Sequence, residues 1–178
     1  MQNIIAVIWD FDKTLVDGYM QDPIFDNYKV NATEFWKEVN ALPNTISKKQ
    51  SIRVNSDTYY LNMFIRKIKD GTFKGLNNEK LLEYGLSQKF YKGIPDIFKT
   101  TSELLKKDPV CNEYNIKVEH YIVSTGFAQV IRGTSIMEYV EDIWGCELVE
   151  EENADGEKEI CTSCIPGYKN TADLGNPF

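Results

Sequence analysis

Ile4-Ile5-Ala6-Val7-Ile8-Trp9-Asp10-Phe11-Asp12-Lys13-Thr14 is an apolar run of six that stops at two carboxylates two residues apart, with a hydroxyl two further on. A short run rich in Ile and Val predicts a fully buried strand over residues 3–9. A strand that stops at an acid delivers that acid to the edge of a sheet, which is where ligands bind in open α/β folds. Burying Asp10 and Asp12 without partners costs on the order of 3 kcal/mol or more. A cation, a hydrogen-bond network or chemistry must therefore hold them.

Working outward, the pattern changes after Asp17-Gly18. Residues 31–42 read as a helix: Asn31 caps it, Glu34 follows three later, and Phe35, Val39 and Leu42 share a face. Residues 56–69 read as another, with Leu61, Phe64, Ile65 and Ile68 at i, i+3, i+4 and i+7, closed by Asp70-Gly71. A short helix follows Asn77-Asn78 and stops at Gly85. Pro95 stands near the start of a fourth, with Ile97, Phe98, Thr101, Leu104 and Leu105 along one side. Residues 106–115 read as a polar connection carrying Asp108-Pro109. Val118 to Val123 is a second strand, running into Ser124-Thr125-Gly126 and a helix that bears Phe127, Val130 and Ile131. Ile143 to Val149 is a third strand, and Asp155-Gly156 marks a hairpin to residues 159–160. Glu150-Glu151-Glu152 reads as a solvated hairpin edge. Buried strands alternating with helices define an α/β fold with a parallel sheet.

The chain has 178 residues, 42% hydrophobic and 12% aromatic, enough to fold around a real core. A net charge of −7 with no Lys/Arg cluster excludes a nucleic-acid surface. No stretch approaches the roughly 18 apolar residues of a membrane span, so no membrane partner is expected. The N-terminus lacks a basic region, and its apolar run meets Asp10 too soon for a signal peptide, so a cytoplasmic location is expected. Cys111, Cys146, Cys161 and Cys164 are too few and scattered for a disulfide framework and read as reduced thiols. Cys161-Thr162-Ser163-Cys164 has zinc-like spacing but too few neighbouring ligands. The single histidine, His120, reads as a packed or rim side chain. The aromatics Phe25, Tyr28, Phe35, Trp36, Tyr59, Tyr60 and Phe64 read as core, a few of them free to face a ligand.

Asp10-Phe11-Asp12-Lys13-Thr14, continued by Leu15-Val16-Asp17-Gly18, resembles the first motif of the aspartate-nucleophile phosphatases of the haloacid dehalogenase (HAD) superfamily. Tyr121-Ile122-Val123-Ser124-Thr125-Gly126 is similar to their second motif, a strand ending in Ser or Thr. The resemblance implies a HAD-like Rossmannoid sheet formed by residues 1–17 and 93–178, with a helical cap inserted at residues 18–92. It implies a magnesium-dependent phosphomonoester hydrolase that acts on a small phosphorylated metabolite through an aspartyl-phosphate. Asp10 would be the nucleophile and a metal ligand. Asp12 would be the general acid and base, and would bind the metal through its backbone carbonyl. Phe11 would offer a backbone N–H to the phosphoryl group and Thr14 would orient the loop. Ser124, with Thr125 and Gly126, would hold the phosphoryl oxygens, Gly126 opening a helix whose N-terminus favours anions. Phosphotransfer to another alcohol would use the same residues. Asp12-Lys13-Thr14 is also similar to the Asp-Lys-Thr of ion-pumping ATPases, a register that the lack of membrane segments opposes.

Two pieces of the family pattern have no clear counterpart. One is a charge-neutralising Lys, for which Lys158 and Lys169 are the late candidates and Lys169 the better. The other is a strand ending in Gly-Asp-x-x-x-Asp; Asp173 has no strand before it. The sheet is thus expected to be incomplete at its C-terminal side, leaving residues 4–9 as an exposed apolar edge. Covering that edge calls for a further segment beyond Phe178 or for a second chain, a homo-oligomer included. The rival expectation is a non-catalytic HAD-like fragment that binds a protein partner through the open edge.

Overall fold

The computed structural model describes residues 3–152 and 156–164. β1 (Asn3–Trp9), β2 (Ile116–Phe127), β3 (Asp142–Glu152) and β4 (Lys158–Cys164) form one sheet in that order. β1, β2 and β3 run parallel, and β4 returns antiparallel to β3. The antiparallel return expected after β3 is present as β4; Asp155, Lys169 and Asp173 lie outside the described residues.

Between β1 and β2 lie α1 (Asp22–Tyr28), α2 (Ala32–Gln50), α3 (Ser56–Lys69), α4 (Asn78–Leu86), α5 (Asp96–Lys107) and α6 (Pro109–Glu113). α7 (Ala128–Arg132) and a single 3-10 turn over Ser135–Tyr139 join β2 to β3. The Asn31 side chain accepts from the Glu34 N–H at 3.2 Å, as its spacing foretells, and Asn77 caps α4 in the same way at 2.9 Å. Such a cap contributes about 1 kcal/mol.

Several elements depart from the sequence reading. α2 continues past residue 42 to Gln50, although Pro43 lacks an N–H for the helix ladder. Phe35, Val39 and Pro43 lie four apart and are all buried, so packing of that face carries the helix through the proline. The polar connection at residues 106–115 contains α6, whose N–H groups at Val110 and Cys111 are capped by the Asp108 carboxylate at 2.8 and 3.1 Å. Glu150 is not merely a solvated edge residue: it accepts from the Asn78 N–H at the start of α4.

β1 is not the fully buried strand that its Ile- and Val-rich run predicts; it is the exposed apolar edge expected from the missing pieces of the family pattern, with Ile4 49%, Ile5 48% and Ile8 66% exposed. Among the described residues only β2 pairs with it, and Trp9 meets Phe98 of α5 edge-on at 5.6 Å. Ile97 and Leu104 of α5, expected to pack, are exposed.

His120 ties these pieces together. Its Nδ1 accepts from the Trp9 indole at 3.1 Å, so the ring proton sits on Nε2, 3.0 Å from the Thr101 hydroxyl. Burial depresses its pKa below the ordinary value, which keeps the imidazole neutral. The aromatics of the inserted helices are core: Phe25, Phe35, Tyr59, Tyr60 and Phe64 are all buried. They belong to one continuous apolar cluster that also holds Phe127, Ile131 and Ile160.

Candidate functional site

β1 and β2 are in parallel register through the pair Trp9–Ile122. Asp10 therefore follows the last paired residue of β1 at the level where β2 continues through Val123 and Ser124 toward Phe127. The backbone then folds tightly: the N–H groups of Leu15 and Val16 both bond to the Phe11 carbonyl, at 2.9 and 3.2 Å. Lys13 adopts a left-handed φ of 58° to make this turn, and its N–H bonds to the Gly18 carbonyl at 3.1 Å. Phe11, Leu15 and Val16 are buried, which anchors the loop beneath the polar residues.

Asp10 is exposed, and its Oδ2 accepts from the Thr14 hydroxyl at 2.9 Å. Asp12 is half-buried, and its Oδ1 accepts from the Met20 N–H at 2.7 Å. Burial raises the Asp12 carboxyl to about 6; the Met20 hydrogen bond opposes this, and the neighbouring Asp10 carboxyl adds to it. Lys13 is turned aside, its Nζ bonded to the Tyr19 hydroxyl at 2.8 Å and 4.0 Å from the Tyr19 ring centre.

Ser124 is buried, and its Oγ accepts from the Gly126 N–H at 2.9 Å, leaving its own O–H to donate. Gly126 does not open a helix. It lies within β2, and α7 begins only at Ala128. Met20 bridges the two motifs. Its Sδ is 3.0 Å from the Phe127 N–H, and it occupies the space that a Cβ on Gly126 would need. The Tyr60 hydroxyl donates to the Thr125 carbonyl at 2.6 Å. Burial, with the nearby Asp12 carboxyl, pushes the Tyr60 phenol well above its ordinary value.

Asp12 and Thr125 thus share the wall of a cleft of about 820 Å³, together with Gln21, Trp36, Lys37 and Tyr60. Asp10 is not part of that wall. Two polar atoms of its lining are buried without a hydrogen-bond partner, Gln21 Oε1 and Trp36 Nε1. Each such group costs ~1–3 kcal/mol. Sequence reading singled out neither Gln21 nor the Met20 N–H. Met20-Gln21-Asp22 carries no motif, and a main-chain donor has no signature in residue type.

Magnesium takes hard oxygen ligands and is commonly held by one or two carboxylates, the rest being water and phosphate. The Asp10 carboxylate and the Asp12 main chain at the strand end are donors of that kind. Among the described residues no group of three His, Cys, Asp or Glu side chains comes together as a metal site. No described helix is long and apolar enough to cross a membrane.

No protein-family model matches the chain. It is 36% identical over 149 residues to an uncharacterized protein of Borreliella burgdorferi, covering 84% of this chain and 51% of that protein. The chain therefore spans about half the length of this curated relative. The crystal structure of a HAD family hydrolase from Salmonella enterica serovar Typhi superposes with a TM-score of 0.53 at 14% identity, over 93% of this chain and 46% of that one. A phospho-aspartyl intermediate analogue of phosphoserine phosphatase gives 0.49 at 17% identity, over 91% and 63%. The first of these likenesses defines the fold: α/β, HAD-like, with a mostly parallel four-stranded sheet.

Proposed function

We propose that the chain is the catalytic front of a HAD-type phosphomonoester hydrolase acting on a small phosphorylated metabolite. The observation that carries this reading is the pairing of Asp10, exposed and oriented by Thr14, with Asp12, a carboxyl raised to about 6 in a cleft wall. A carboxyl in that range can give a proton and take it back near neutrality. The HAD-like fold supports the reading.

In this scheme Asp10 Oδ1 attacks phosphorus while Thr14 holds Oδ2. The bond to the leaving oxygen breaks, and Asp12 passes its proton to that oxygen to release the alcohol. Asp12 then takes a proton from water as the water attacks the aspartyl-phosphate, which restores Asp10 and releases phosphate. Ser124 donates its O–H to a phosphoryl oxygen, and the Phe11 N–H and the Thr125-Gly126 backbone complete the cradle. Magnesium, held by the Asp10 carboxylate and the Asp12 carbonyl, would supply positive charge against the equatorial oxygens. The reaction places no demand on nucleic acid or membrane, and the expected location is the cytoplasm.

The test is hydrolysis of an aryl phosphate with magnesium by the wild type and by Asp10→Asn. Loss of kcat by roughly 10³-fold or more is expected. Activity that survives the substitution would remove Asp10 as nucleophile. A second reading, a non-catalytic fragment that binds a protein through its open sheet edge, is favoured by the exposed Ile4, Ile5 and Ile8. A wild type without activity under these conditions would favour it.

A further inference from the structure

We propose that His120 is a positioning residue for Asp10: as a neutral imidazole it holds the Trp9 indole, and with it the end of β1, and as an imidazolium it lets go. The role given to Asp10 rests on the phosphatase reading; the latch itself does not. An indole N–H only donates, so His120 Nδ1 accepts at 3.1 Å, and the proton on Nε2 faces the Thr101 hydroxyl at 3.0 Å. That hydroxyl donates in turn to the Ile97 carbonyl at 2.9 Å. The donors all point one way, from β1 through β2 into α5.

A proton on Nδ1 would set two donors against each other across the Trp9 contact. His120 has no room to turn away. It is 3% exposed, Thr101 holds its other nitrogen, and the buried Phe98 ring stands edge-on to it at 4.9 Å. Trp9 is the side that yields, being half-buried at the end of a strand that, among the described residues, pairs only with β2. Trp9 is also the last paired residue of β1, opposite Ile122, and Asp10 follows it directly. The Asp10 carboxylate bonds to Thr14 within its own loop, so Trp9 before it and the buried Phe11 after it set its place against β2. β1 brings no charged side chain to the imidazole. Around the ring stand Lys99, Glu103 and Lys106 of α5, Glu119 of β2, and Glu138, Tyr139 and Glu141 ahead of β3. Four carboxylates against two ammonium groups favour an imidazolium, yet burial keeps the pKa below the ordinary histidine value.

The test follows the full chain, with isotope-labelled tryptophan and aspartate, by NMR from about pH 7.5 to about pH 4.5. It is run on the wild type and on Asp12→Asn, because the Asp12 carboxyl itself titrates at about 6. His120 is the single histidine, so its ring signals are unambiguous. The Trp9 indole and Asp10 amide resonances should move in both chains with the midpoint of the His120 ring. His120→Asn, whose amide oxygen stands in for Nδ1 without titrating, should keep the Trp9 indole in its neutral-pH position throughout. His120→Phe, which has no acceptor, should leave it in the acid position at every pH; if that variant does not fold, the other three chains still decide. Movement of Trp9 without Asp10, midpoints that differ from that of His120, or an acid transition that persists in His120→Asn would each overturn the proposal. Aryl phosphate turnover is read separately: kcat should fall about tenfold or more in His120→Phe with KM little changed, and recover in His120→Asn. Full kcat in a folded His120→Phe would overturn the positioning role. A wild type without turnover but with coincident midpoints would sink the phosphatase reading and leave the latch standing.

Discussion

Asp12 carries a cost of burial at a single side chain, one that its proposed role as acid and base would explain. Its carboxyl stands at about 6 in the folded chain against 3.8 when unperturbed, chiefly through burial. Because the folded value is the higher one, burial costs nothing below pH about 4, the cost grows between the two values, and it is complete above pH about 6. At about 1.4 kcal/mol per pH unit the full cost is roughly 1–3 kcal/mol, allowing for partial solvent screening. We expect Asp12→Asn, which keeps the acceptor for the Met20 N–H, to be more stable than wild type by that amount at pH 7. The gap should close by pH 4. Urea denaturation in chelator at both pH values reads this. A gap that is constant with pH would mean that the carboxyl is not held in its neutral form. A variant that gains stability and loses turnover would place the cost of burial at the chemistry.

At the scale of elements, the inserted helices are fastened to the sheet layer by backbone contact. A Cβ on Gly85 of α4 would run into the Val130 carbonyl and the Gly133 main chain, and one on Gly133 would run into the Leu82 carbonyl. Gly133 has an ordinary φ of −74°, so its requirement is room rather than conformation. We expect Gly133→Ala to lower the unfolding free energy by roughly 2–4 kcal/mol, since the opposing atoms are main chain and cannot rotate away. Leu86→Ala, at an exposed site of α4, should change it by less than about 1 kcal/mol. Equal effects of the two in denaturation midpoints would show that α4 and α7 separate at little cost. The seating matters for the cleft, because Gln88, just beyond α4, donates to the Met20 carbonyl at 3.2 Å.

At the scale of the whole molecule, the open flank of β1 dominates. Among the described residues its backbone has a partner on one side only, and Ile4, Ile5 and Ile8 are about half exposed or more. An unpaired apolar edge is a template for another strand. We expect the chain to associate through this edge, with a weight-average mass in sedimentation that rises over micromolar concentrations. Ile8→Lys should hold the mass at that of one chain without changing stability by more than about 0.5 kcal/mol. A wild type whose mass is independent of concentration would show that the edge is protected in solution.

The sequence by itself determined the elements with strong local signals. The α/β class, the strand that stops at Asp10, the capped helices after Asn31 and Asn77, α3 and the hairpin after β3 all follow from periodicity and cap chemistry that a few neighbouring residues contain. The placement of Asp10 directly after β1 was also readable, because the apolar run stops there, whereas Ser124 lies within β2, which runs on to Phe127. Burial was not, since it depends on what lies across space. The Ile-rich β1 looks the same from its own residues whether it is central or at an edge; its exposure was expected only from the missing pieces of the family pattern, and the strand order shows it. Pro43 stops a helix in isolation, whereas packing between Phe35 and Val39 on one side of the core carries α2 through it. The raised carboxyl of Asp12 and the unpaired atoms of Gln21 and Trp36 are likewise tertiary facts. They arise where the loop after β1, α2 and α3 meet, and no stretch of sequence contains all three.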